Sequence, residues 1–153
     1  MVTYQYTGTL ADIGLGALTP HAPVMRVRPE VEAFAALSAR LISAVPVPVT
    51  LDPVTGAFSM TLVPSADLTP ATGGSAGVDY IIEVGRFEQA IDGTYFAGID
   101  AWKFTAVVGG GNVGDMNGGS LLSVWIGPPW PPLPSLRGLY IDMTPPNAWG
   151  VKE

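Results

Sequence analysis

Two runs, Val45-Pro-Val-Pro-Val-Thr-Leu51 and Ala57-Phe-Ser-Met-Thr-Leu62, flank the segment Asp52-Pro-Val-Thr-Gly56. In the second run Phe58, Met60 and Leu62 fall on one face of an extended chain and Ser59 and Thr61 on the other. Val47, Val49 and Leu51 repeat that period in the first run. The five residues between the runs begin with Asp, carry Pro second and end with Gly, which is turn chemistry. The stretch predicts a β-hairpin whose structural turn residues are Asp52 and Gly56. Pro46 and Pro48 have no N–H for a ladder, so the first arm is expected at a sheet edge.

The same period recurs outward from the hairpin. Tyr4, Tyr6 and Leu10 share one face of a first strand, opposite Thr3, Gln5, Thr7 and Thr9. Val24 to Arg28 reads as a second strand closed by Pro29. Val78 to Phe87 and Ala101 to Val108 complete the set, with Tyr80, Ile82, Val84 and Trp102, Phe104, Ala106 as core rows. One segment breaks the pattern. Val31, Phe34, Leu37 and Leu41 roughly fit a helical stripe, and Glu30 and Glu32 suit a helix N-terminus, so 30–42 is read as helical. The alternative is one long strand from Leu41 to Val49. Short strands separated by turn signals predict a mostly β chain, an antiparallel β-sandwich of immunoglobulin-like or related type, over residues 1–108.

Beyond Val108 the composition changes. Residues 109–120 are Gly-Gly-Gly-Asn-Val-Gly-Asp-Met-Asn-Gly-Gly-Ser and read as a flexible linker. Leu121 to Ile126 and Leu139 to Asp142 are short strands, and Pro128-Pro-Trp-Pro-Pro-Leu-Pro134 must be extended between them. Residues 109–153 are therefore expected to form a Gly/Pro-rich C-terminal arm. Its Trp125, Trp130, Tyr140 and Trp149 have little local structure to bury them, which makes them the interface candidates.

Charged residues are only 13% of the 153, about half the usual share, while Gly and Pro sum to 34. A surface so poor in charge is best explained if neighbours cover much of it. The net charge of −6 and seven scattered basic residues give no stripe for phosphates, which argues against nucleic acid. No Cys is present, so disulfides and Cys-based zinc sites are excluded. The start of the sequence lacks a charged and then apolar leader, so no signal peptide is expected. No apolar run reaches the roughly 20 residues that span a bilayer.

Chemical motifs are few. Gly73-Gly-Ser-Ala-Gly77 fits a nucleophile elbow, but Val78 begins a strand where that motif needs a helix. His21, the one imidazole, sits in a Pro-flanked loop. Gly109-Gly-Gly-Asn-Val-Gly114 fits a dinucleotide fingerprint without the following helix or any βαβ alternation. Asp115 and Asn117 resemble the start of a calcium loop that lacks its later ligands. Neither catalytic residues nor cofactor or metal sites are expected, and the chain is read as non-enzymatic.

Several stretches together resemble minor tail or baseplate proteins from tailed phages of actinobacteria. They are Tyr6-Thr-Gly-Thr-Leu-Ala-Asp-Ile-Gly14, Val24-Met-Arg-Val-Arg-Pro29, the hairpin from Val47 to Ser65, Tyr80-Ile-Ile-Glu-Val84, Trp102-Lys-Phe-Thr-Ala-Val107 and Gly138-Leu-Tyr-Ile-Asp-Met143. The resemblance implies a virion structural protein of the tail tip or baseplate, made in the host cytoplasm and linking tail components or fibres. Its implied partners are other phage tail proteins and further copies of itself, a trimer among the options. A capsid decoration protein would share sandwich and arm. A host-carbohydrate-binding module would use Trp125, Trp130 and Tyr140 for sugar stacking instead.

Overall fold

The computed structural model describes the backbone of all residues except 22, 37, 91, 92, 121, 122, 128–137, 143–147 and 153. Side chains are described up to residue 119, apart from 17, 20–22, 37 and 86–97. Fifteen strands follow one another among these residues: β1 (Tyr4–Thr9), β2 (Val24–Pro29), β3 (Ala33–Ala35), β4 (Arg40–Ile42), β5 (Val47–Pro48), β6 (Thr50–Leu51), β7 (Ala57–Leu62), β8 (Leu68–Pro70), β9 (Tyr80–Ala90), β10 (Gly93–Phe104), β11 (Gly111–Asn112), β12 (Gly118–Ser120), β13 (Ser123–Gly127), β14 (Gly138–Asp142) and β15 (Ala148–Lys152). Three short 3-10 turns, Gly16–His21, Ser65–Asp67 and Val113–Asp115, are the helical content among them. The chain is mostly β, as its alternation demands.

Two sheets enclose the core. The first runs β11-β1-β7-β6, and the large one runs β15-β14-β13-β10-β9-β2-β5, with β12 also on β10. Pairing is antiparallel except for β1 with β11 and β13 with β14. From the first sheet Tyr6, Phe58 and Met60 are buried, and from the large sheet Met25, Val27, Ile82, Val84 and Phe104 meet them in one cluster. Removing such a side chain from water is worth roughly 1.5–3 kcal/mol each. Phe104 lies edge-on to Tyr6 at 6.3 Å and stacked on Tyr80 at 6.0 Å, so one ring ties the sheets together. Both phenols keep a partner: Tyr6 Oη donates to the Val107 carbonyl at 2.7 Å and Tyr80 Oη to that of Val63 at 3.0 Å. Burial, with Tyr6 nearby, pushes the Tyr80 phenol far above its ordinary pKa.

Tyr80, Ile82, Val84, Phe104 and Ala106 line the core, and Trp102 is partly buried against it. Where the sequence reading had two separate strands, Val78 to Phe87 and Ala101 to Val108, β9 and β10 form one long hairpin, pairing down to Ala90 and Gly93 with an irregularity between Phe96 and Gly98.

The helix expected over 30–42 does not form. β3 and β4 make a small hairpin there, joined to β8 in a three-stranded sheet. Ala33 and Ala35 are buried with period two, while Val31, Phe34 and Leu41 of the supposed stripe are exposed. Alanine favours a helix locally, but here its small size lets the hairpin lie close to the core, and pairing overrides propensity. Nor is 41–49 one strand: β4 ends at Ile42 and β5 begins at Val47.

Residues 109–120 are built into the body rather than serving as a linker. β11 lies beside β1, β12 pairs with β10, and Val113 between them is fully buried. Gly110, at φ +74°, lies so close to β1 that a Cβ would collide with the Gln5 carbonyl oxygen. Gly110, Gly114 and Gly118 serve close approach, not slack.

Candidate functional site

The hairpin's first arm is divided between the two sheets. Val47-Pro48 pairs with Arg26 and Val27 of β2, the Val49 N–H donates to the Met25 carbonyl at 3.0 Å, and Thr50-Leu51 then pairs with Ser59 and Phe58 of β7. Both β5 and β6 are edge strands, as the two prolines predict.

A cleft of about 320 Å³ opens there. Val27, Val49, Met60, Leu62 and Tyr80 are among its lining residues, and Arg28 is its one charged side chain. Arg28 Nε is held by Glu83 Oε1 at 2.9 Å, so that cation is already paired. The lining contains no carboxylate and no imidazole, so the cleft is suited to apolar side chains rather than to proton transfer. Its rim is exposed and aliphatic: Val45 is 65% and Val47 57% accessible, and Leu41 nearby in the chain is 50%. The sequence signal was the Val-Pro alternation of 45–49; reading it as a buried hairpin face hid the exposed valines.

Asp52 and Gly56 close the other end of the hairpin. Asp52 Oδ1 accepts from the Val54 and Thr55 N–H groups at 2.8 and 3.1 Å, and the Gly56 N–H donates to the Asp52 carbonyl at 2.8 Å. Gly56 is buried at φ +73°, with a hypothetical Cβ 3.3 Å from Leu10 Cβ. Gly56→Val should therefore cost about 2–3 kcal/mol through left-handed strain and crowding, with Asp52→Ala milder. The two N–H bonds hold the Asp52 carboxyl below its usual range. A depressed folded pKa gives stability that is present above the unfolded value near 4 and lost as pH falls through the folded one. Thermal melts at neutral and acidic pH check both points. The parent should lose more on acidification than Asp52→Ala, and a Gly56→Val variant that melts like the parent refutes the strain.

Of the aromatic candidates, Trp125 lies on β13, Tyr140 on β14 and Trp149 on β15, while Trp130 is outside the described residues. The parallel register puts Trp125 and Tyr140 in one rung, and Trp149 pairs with Ile141 on the outermost strand. The arm's strands thus extend the large sheet. They join the body where Gly98 meets Trp125 and Ile99 meets Val124.

The chemical motifs do not converge. Ser75 is in an exposed loop with Gly73, Gly74 and Gly77 at positive φ, and strand β9 follows. His21 ends a 3-10 turn. Gly109–Gly114 leads through β11 into the three-residue turn at Val113–Asp115, not into a helix. Asp115 and Asn117 are exposed, and among the described residues no three His, Asp or Glu side chains are grouped to hold a metal. No helix among them is long and apolar enough to cross a membrane. Comparison with protein-family models, with curated proteins and with solved structures gives no match to this chain.

Proposed function

We propose that this chain is a non-enzymatic structural protein of a phage tail tip or baseplate, held in the virion by packing against neighbouring chains. The carrying observation is the exposed aliphatic rim of Val45 and Val47 on an apolar cleft, in a chain with 13% charged residues. Exposed apolar groups gathered around a concavity mark interaction sites far more often than they mark solvent-facing surface. The assignment to a tail, rather than to another assembly, rests on the resemblance of the stretches quoted above. In this reading the copies link tail components or fibres, and the arm aromatics contribute to the contacts.

The test uses purified particles of the encoding phage. Mass spectrometry should find the chain in them, and antibody-labelled negative-stain images should place it at the tail tip. Absence from particles refutes the proposal, and label over the head would make it a decoration protein. An esterase activity lost in Ser75→Ala or His21→Ala would move the chain to the enzymes.

A further inference from the structure

Each sheet ends in two edges, and β12, three residues long, adds a seventh beside β10; among the described residues six of the seven are only two or three residues long. β11, β6 and β5 are two residues long, and β5 carries Pro48. β4 and β8 are three residues long; β4 contains Arg40 and β8 ends in Pro70. Short, charged and Pro-bearing edges are how sheets avoid recruiting further strands. β15 is different. It has five residues, Ala-Trp-Gly-Val-Lys, without proline and with its one charge, Lys152, confined to the end; all are paired on one side with β14, and the strand ends the large sheet on the other.

We propose that the open edge of β15 pairs with β15 of a second copy, antiparallel about Gly150, joining two large sheets into one. The sequence of the strand fits itself in that register. Gly150 would face Gly150 across the two-fold axis, where no side chain obstructs approach. Trp149 would stand opposite Val151 of the second copy, an aromatic–β-branched pair of the kind that stabilises sheets. Lys152 would stand opposite Ala148, so no two cations meet; an in-register parallel pairing would set Lys152 beside Lys152. One such edge among the described residues, used isologously, closes at a dimer instead of growing into a filament. The proposal rests on the assembly reading above and names one of its partners.

Two double variants of the full chain test the register. W149K/V151K places lysines opposite lysines twice across the axis, whereas W149K/V151E places opposite charges there. Both put the same lysine on β15, so their effects on the chain's own sheet are alike at that position. By sedimentation velocity the parent should be a dimer, W149K/V151K should dimerise at least about tenfold more weakly, and W149K/V151E should recover most of the loss. Circular dichroism should give the same β signal for all three. A parent that stays monomeric, or a dimer that ignores W149K/V151K, overturns the proposal. So does failure of the opposite-charge variant to recover. Incorporation into particles is read separately: a monomer found in virions sinks only the edge pairing, and a dimer missing from virions sinks only the tail assignment.

Discussion

Gly110→Ala should cost at least about 3 kcal/mol and lower the melting temperature by roughly 6–12 °C. Two penalties combine at this position. Its φ of +74° disfavours any L side chain, and the added Cβ would strike the Gln5 carbonyl oxygen of β1. That oxygen belongs to backbone between two paired strands, so it has little room to retreat. Gly109→Ala supplies the comparison, because Gly109 also has positive φ but nothing lies within 4 Å of its hypothetical Cβ. It should lose only the conformational part, about 1–2 kcal/mol. Chemical denaturation of both variants separates the terms. Equal losses would mean that β1 and the 109–112 segment are not in contact.

Phe104→Ala should be comparably damaging, at about 3–5 kcal/mol. The ring is fully buried and touches aromatic partners from both sheets, so its removal leaves a cavity where the layers meet. Neighbouring tyrosines cannot collapse into that space without giving up their hydrogen bonds to Val107 and Val63. The denaturation midpoint should fall steeply at an unchanged slope. A loss below about 1 kcal/mol would place the aromatic trio outside the stabilising core.

What the sequence made legible was the period-two alternation and its punctuation. Phe58 and Met60, like Tyr80, Ile82 and Val84, could be placed on a core face because alternate side chains of a strand must diverge. The edge position of β5 followed from the absent N–H of Pro46 and Pro48. Three features were not legible. Ala33 and Ala35 carry no β signal of their own, and only pairing with β4 and β8 on either side makes them strand residues. The glycines of 109–120 looked like slack because a sequence does not say which glycine another strand will press against. Val47 and Thr50 lie three residues apart yet pair into different sheets, a choice set by packing between the layers. The exposed valines of the cleft rim were hidden for that reason: alternation gives two faces, not which sheet a face belongs to.

The bond between Tyr6 and Val107 spans 101 residues, and β1 reaches its β11 neighbour only across a similar separation. During synthesis that closure has to wait. At the usual pace of about 5–20 residues per second, roughly 5–20 s pass between the appearance of β1 and the residues that flank it. β7 arrives earlier and can shelter Tyr6 in part, but the seam through Gly110 forms only after the β9–β10 hairpin has been made. The nascent chain therefore carries one open flank of its first sheet for most of its translation. Slow, long-range closure of this kind exposes a protein to aggregation and to trapping by chaperones. The order of folding is accordingly written into the topology: the earliest strand waits for more than a hundred residues before its second flank is covered.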